Sequence, residues 1–487
     1  MYSVNNFCKL ISFYTLFTVS TITCAGQYQH NYKIRKVSSS QSEKMFQRLD
    51  DMFEIESKTD FKDYQRDPVV QSINMERLTN LRKSIKKGYF VEDDTLQKFV
   101  NAVLERIVQA NDLNEQTKRY AFIADNAARS ASCHGKGIFI VTIGLLAAID
   151  KEDQLAFVLA HEIAHDESGH IREKILLERN VKLQAKSKKI IKQVFGYNEE
   201  VDIEELEEYR NTAYHVMRHS RSAETFADSL GLVYLSKAGY QKAGALELLK
   251  LLEEGGKPKY EIGVDFFLPF NSPQYPFQSY WLNEKPGVYN ALHKGSTNVF
   301  SYDSLLTHPD LQRRQVYINA AHYKEVKYTS GLQTNPSASI AIAELQIIQS
   351  TFRAGEFDLT LYYAMQMLKK YPDNAFVVGC IGTTLINSLT AKDRNIFRSI
   401  VSPYTGTYNE EQRLMNNLYN LEIKELGEVA YHFMKREDHF NHEERSHYYL
   451  LWRICDLTYR YDEKSSLAKL YNAKFKNNIS TFSFKNE

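Results

Sequence analysis

The sequence predicts an α+β architecture: a mainly helical first domain holding a small β-sheet, followed by an all-α domain. Three observations predict it. "YAFIAD" and "GIFIVTIGLL" are short β-rich runs, separated by the glycine-bearing "SASCHGKG". The segments around them, such as "DTLQKFVNAVLERIVQAN", carry apolar residues at helical spacing. After about Asn335 the pattern is helical almost to the end of the chain. The expected layout is a signal peptide over 1–25, a linker over 26–65, the first domain over 66–325 and the helical domain over 336–487.

Composition agrees with that layout. A chain of 487 residues is long enough for about two to four domains. Its hydrophobic (43%) and charged (25%) fractions are those of a folded protein, not a disordered one. The 61 basic and 60 acidic residues nearly cancel, so no nucleic-acid partner is expected.

At the N-terminus, "CKLISFYTLFTVSTITCAGQ" places Lys9 before a largely apolar run that ends at Ala25. It reads as a secretory signal peptide, with Thr23 and Ala25 at −3 and −1 of a cleavage after Ala25, and predicts a periplasmic or secreted protein. Two alternatives stay open: "TITC" as a poor lipoprotein box that anchors the chain through a lipidated Cys24, and an ordinary N-terminal helix. No later segment is an uninterrupted apolar run of about 18 residues, so a soluble or peripheral protein is expected. Cys133, Cys380 and Cys455 form neither a zinc knuckle nor a disulfide framework, although export would permit a Cys380–Cys455 bridge.

The elements follow in order. Residues 27 to about 65 are polar and predict a linker with one short helix. Leu96, Phe99, Val100, Val103, Leu104 and Ile107 line one face of a helix capped by Asp94. The two β-rich runs predict sheet strands, with a hairpin as one option. A helix is expected from about Lys151 to Leu177. The basic "KLQAKSKKIIKQ" and the acidic "NEEVDIEELEEYR" then predict a solvated, salt-bridged helical hairpin. A further helix covers Ser220 to Tyr240. The aromatic, proline-bearing stretch from Gly255 to Asp303 reads equally as a lid over a cleft or as a covered extension of the core. In the tail, Gly355, Ala364, Leu368, Pro372 and Gly382 are spaced as in a tetratricopeptide helix pair, with a plain helical bundle as the alternative.

One motif carries chemistry. In "VLAHEIAHDESGH", His161 and His165 are four apart, so on a helix both imidazoles face one side and can share one metal ion. Glu162 stands one step round, where it can take a proton from an attacking water. The apolar lead-in "QLAFVLA" buries the helix and fixes both ligands. HExxH alone also arises by chance, but zinc wants a third protein ligand. Glu224, in "SRSAETFAD", is the candidate, with Asp228 one turn on to accept the second ring N–H of a ligand histidine.

"AHEIAH", "SRSAETFAD", "GLVYLSKAGY" and "LLTHPDLQRR", in this order, resemble the gluzincin metallopeptidases that include HtpX and the CAAX prenyl proteases. The resemblance covers about residues 90 to 320, and "SASCHGKGIFIVTIGLL" looks like that family's strand before the metal helix. The signal peptide and the repeat-like tail add the layout of its BepA-like periplasmic members. The resemblance implies a zincin-type metallopeptidase domain with one Zn2+ on His161, His165 and Glu224, and Glu162 as general base. Asp228 then orients a ligand, and His308 of "THP" is either a latch on the metal or a helper in the transition state. Arg314 matches the family's arginine after that histidine and is the other candidate for a second electrophile. His170 matches a recurrent histidine, to which structural service is ascribed. Family members often carry Asn-Ala where this chain has Ser130-Ala131.

The implied activity is an endopeptidase acting on unfolded or misassembled envelope proteins. Their strands would add to an exposed edge near "GIFIV". The tail would meet clients or the outer-membrane assembly machinery. The competing function is an envelope chaperone or assembly scaffold that works through the tail while the zinc site is latched.

Overall fold

The computed structural model describes residues 31–113, 117–183, 222–253, 267–283, 311–324, 326, 336–399, 401, 414 and 417–482. The stretch expected to be a signal peptide, the charged runs after Leu183 and His308 lie outside them. The chain divides into two units: Arg35–Gly255 with Ser301–Ile340, and Met1–Ile34 with Gly256–Phe300 and Ala341–Glu487.

The first unit begins with two long helices, α1 (Ser39–Thr59) and α2 (Pro68–Lys86). Ser38 and Gln41 close a capping box at the start of α1, and Asp67 caps α2 ahead of Pro68. The expected linker with a short helix is therefore a 21-residue helix instead. Its polar texture hides a stripe of Met45, Leu49, Met52 and Phe53, which packs with Ile85, Phe90, Phe122 and Ile138. Burying side chains of this size stabilises by about 1.5–3 kcal/mol each, enough to recruit the segment into the core.

After β1 (Phe90–Val91), helix α3 (Asp94–Ala110) is capped by Asp93, not Asp94: Asp93 Oδ1 accepts from the amides of Thr95 and Leu96. Three strands follow, β2 (Tyr120–Ala124), β3 (Ala131–Cys133) and β4 (Ile138–Thr142), in the sheet order β1-β2-β4-β3. The two β-rich runs are parallel neighbours, not a hairpin, because β3 intervenes and makes the antiparallel turn onto β4. "GIFIV" is consequently interior, paired on both sides, and the edge beside it is Ala131–Cys133.

A short helix α4 (Ile143–Ala148) leads to α5 (Glu152–Glu167). Every residue from Gln154 to Asp166 is buried, so α5 is a core helix covered on all sides. The expected single helix to Leu177 is broken at Gly169, whose φ of +69° only glycine adopts cheaply. Helix α6 (His170–Leu183) restarts directly after it and packs on α2 through Val70, Ile73 and Ile175. The unit is completed by a helix over 222–237 (α7), by α8 (Lys242–Glu253) and by α9 (Leu311–Ala320).

The second unit contains α10 (Pro336–Ala354, its first turn assigned to the first unit), α11 (Phe357–Lys370), α12 (Ala375–Asp393), α13 (Ile423–Lys435), α14 (Arg445–Leu457) and α15 (Tyr461–Phe475). Helix α12 is apolar and long enough to cross a membrane by composition, yet it buries Thr384 and Ser388 and packs against α11, α13 and α14 as a core helix. The described part of the aromatic stretch belongs here. Trp281 is fully buried, its Nε1 donates to Glu425 Oε1 at 3.1 Å, and Asn420 donates to its carbonyl. Phe270 packs on Phe433 and Tyr275 stacks on His432, the arrangement of a covered core extension. Cys133, Cys380 and Cys455 are free thiols, so the permitted Cys380–Cys455 bridge is not formed.

Candidate metal centre

Helix α5 puts His161 and His165 on one face one turn apart, and their Nε2 atoms approach to 3.1 Å. Helix α7 brings Glu224 onto the same point: its Oε2 lies 3.4 Å from His161 Nε2 and its Oε1 3.3 Å from His165 Nε2. One ligand atom from each of the three residues falls within 4.8 Å of the others, and all three residues are buried. The two helices approach this closely because Gly231 of α7 faces the His161 backbone. A Cβ there would stand 3.2 Å from His161 N, and Ala227 beside it is fully buried.

Each imidazole is held from behind. Asp228 Oδ1 lies 3.0 Å from His161 Nδ1. Arg314, on α9, grips Asp228 with two bonds of 2.7 Å, from Nε to Oδ2 and from Nη2 to Oδ1. Burial disfavours the charge of Asp228, but the His161 and Arg314 hydrogen bonds outweigh it and hold its carboxyl below the usual range. Burial likewise opposes a charged His161, and Asp228 with Glu224 overcomes it, raising the imidazole to about 9. His165 Nδ1 meets His170 Nδ1 at 2.8 Å. The break at Gly169 makes this contact possible; one continuous helix would carry His170 away along its axis.

Glu162 is buried on α5, next to the edge strand β3. The turn from β3 to β4 is fastened to the same helix, since Asp166 Oδ2 accepts from the Gly137 amide at 3.0 Å. Desolvation raises the Asp166 carboxyl to about 7. It also pushes the Cys133 thiol well up, leaving it protonated. His134, in the turn, bonds Ser132 Oγ through Nε2 at 2.9 Å. Burial, with help from the Arg77 charge, holds His134 near about 4, and therefore neutral at physiological pH.

The structure thus brings His161, Glu162, His165, Glu224, Asp228 and Arg314 together, while His308 lies outside the described residues. Arg314 bonds Asp228 through Nε and Nη2, which positions the carboxylate behind the ligand histidine, while its Nη1 lies 3.5 Å from Glu224 Oε2 and faces the ligand cluster. His134, Asp166 and Gly231 were not legible as parts of the site. His170 was marked by the resemblance, and Gly169 in "ESGH", a helix-stopping residue, is the local signal for its placement.

The donor set suits a divalent cation. Two imidazole nitrogens and one carboxylate leave a coordination position open, as catalytic zinc sites do. Three carboxylates, on Glu162, Glu224 and Asp228, act on the guanidinium of Arg314, and a bound cation would offset their charge. Desolvating an ion costs several kcal/mol, so such a cluster is poor glue for a core. Comparison with known proteins agrees. The chain is 28% identical to the mitochondrial metalloendopeptidase OMA1 of Schizosaccharomyces pombe over 156 residues, 32% of this chain and 43% of that relative. The family model for peptidase family M48 matches residues 94–322, the span that carries every ligand candidate and Arg314.

Proposed function

We propose that the chain is a zinc-dependent endopeptidase. The observation that carries the reading is the convergence of His161, His165 and Glu224 on one point, with Glu162 on the same helix, inside the M48-matched span. A zinc ion held there would supply a Lewis acid that polarises the scissile carbonyl. The remaining work falls to the chain. Glu162 takes the proton of the attacking water and returns it to the leaving amine. Asp228 and His170 keep the two imidazoles turned so that both Nε2 atoms face the site. An extended substrate pairs its backbone with the free edge of Ala131–Cys133, a mode that reads little sequence. Unfolded or misassembled envelope proteins fit such a site as clients, and the exported location and the client-binding role of the helical unit belong to the same proposal.

Elemental analysis of purified wild type and Glu224→Ala, with casein cleavage on the same samples, tests it. The expectation is near one zinc per wild-type chain, with metal and cleavage lost together in the variant. Glu162→Gln should keep the zinc and lose cleavage; a Glu162→Gln protein that still cleaves would remove Glu162 from the mechanism.

A further inference from the structure

We infer that Glu56 and Arg77, on two helices that precede the M48-matched span, position the substrate-binding edge of the site. The inference rests on the peptidase reading above. The turn His134–Gly137 that ends β3 has no apolar side chain to anchor it. Polar contacts hold it. Arg77 Nη2 donates to the His134 carbonyl, and Glu56 Oε1 accepts from the Lys136 amide at 3.3 Å. Asp166 takes the Gly137 amide, and Lys136 Nζ reaches Asp60 at 3.5 Å.

Glu56 and Arg77 also join each other, with Arg77 Nη1 to Oε2 at 3.0 Å and Nη2 to Oε1 at 3.2 Å. The guanidinium is fixed from outside by Asn74 Oδ1 at 2.7 Å and lies over the Phe53 ring. The fit is close: a Cβ on Gly135 would come within 2.3 Å of both Arg77 Nη2 and Glu56 Oε1.

Glu56 is only 2% exposed. An apolar pair of the same volume would brace two helices at least as well as a buried ion pair does. What an apolar pair cannot do is bond a carbonyl and an amide of one turn and so set its height. That turn carries His134, which bonds Ser132 of the edge strand and lies within reach of the Glu162 charge, and it fixes the register Ala131↔Val141, Ser132↔Ile140 and Cys133↔Phe139 of that strand. The two helices thereby determine where a substrate backbone lies relative to Glu162, without touching the metal ligands.

The test uses the full chain carrying Arg77→Met, Glu56→Gln or Arg77→Lys. The readouts are zinc per chain, KM and kcat on casein, and amide hydrogen exchange over 134–138 and over α5. Arg77→Met and Glu56→Gln should keep the zinc and the protection of α5, speed exchange in the turn, and raise KM about ten- to hundredfold with a smaller change in kcat. Arg77→Lys keeps the charge but loses the fork, so its KM should fall between wild type and Arg77→Met. It also supplies the test if Arg77→Met does not fold. Turn exchange that stays at the wild-type rate overturns the inference. So does faster exchange with an unchanged KM, which would make the pair a brace of the fold only, and so does loss of zinc. A wild type that cleaves nothing overturns the peptidase reading itself and is recognised before any variant is compared.

Discussion

Asp228 and Arg314 form a buried, doubly bonded ion pair directly behind His161, and Asp228 Oδ1 serves both partners, at 2.7 Å from Arg314 Nη2 and 3.0 Å from His161 Nδ1. The pair ties α9 to α7 and, through His161, to α5. It gives the first prediction. Asp228→Asn should weaken zinc binding about 10- to 100-fold in a chelator competition, because the imidazole loses its charged partner. Arg314→Met leaves a buried carboxylate without its partner and should destabilise the first unit by about 3–5 kcal/mol in urea. Unchanged zinc affinity in Asp228→Asn would show that His161 needs no orienting group.

His170 should matter to the metal although it does not face it. Replacing it with alanine frees His165 Nδ1, 2.8 Å away, and should weaken zinc binding about tenfold. Gly169→Ala should have the same sign, since alanine resists the +69° backbone that delivers His170. If the two variants bind zinc as wild type does, the His165–His170 contact is packing only.

Gly231 sets the spacing of the two ligand-bearing helices. Gly231→Ala asks the His161 backbone to give by a few tenths of an ångström and should be mild. Gly231→Val adds bulk that the crossing cannot hold and should cost about 1–3 kcal/mol with most of the zinc. Zinc content of the folded fraction after gel filtration checks this; full occupancy in the valine variant would mean that α7 can shift without moving Glu224.

The second unit should lose stability in mild acid. His439 is buried with Nδ1 bonded to the Phe433 carbonyl at 2.9 Å, and burial depresses it to about 4. His447 is buried and depressed too, with Nε2 on the Ala375 carbonyl and Nδ1 accepting from the Asn441 amide. Unfolded, each takes up a proton near pH 6.5, so the unfolded state holds more protons below that pH. Stability is therefore full above about pH 6.5 and falls as the pH drops, by up to about 1.4 kcal/mol per pH unit down to about pH 4 for His439, with His447 acting in the same direction. Both tryptophans, Trp281 and Trp452, lie in this unit, so selectively excited tryptophan fluorescence in urea at pH 7, 6 and 5 follows it. His439→Asn should flatten the slope; an equal slope would assign the acid sensitivity elsewhere.

The sequence by itself determined the elements whose signal is local. An apolar run with two histidines four apart could be read as a core helix with a two-ligand face, because helical periodicity alone sets which side chains coincide. The β-rich runs, and the helical period of the tail, were legible for the same reason. Tertiary structure alone decided what depends on contacts across the chain. It made β2 and β4 parallel by inserting β3, and it made Ala131–Cys133 the edge that the sequence had placed only near "GIFIV". It placed the aromatic stretch, through Trp281, on Asn420 and Glu425. It made Arg314 the partner of Asp228 and brought Glu56 and Arg77 to a turn more than fifty residues further on. A charged side chain in a polar-looking helix carries no local mark of being buried; its partner is set only when hydrophobic burial brings distant helices together, and desolvation then selects the pairings that leave no charge alone.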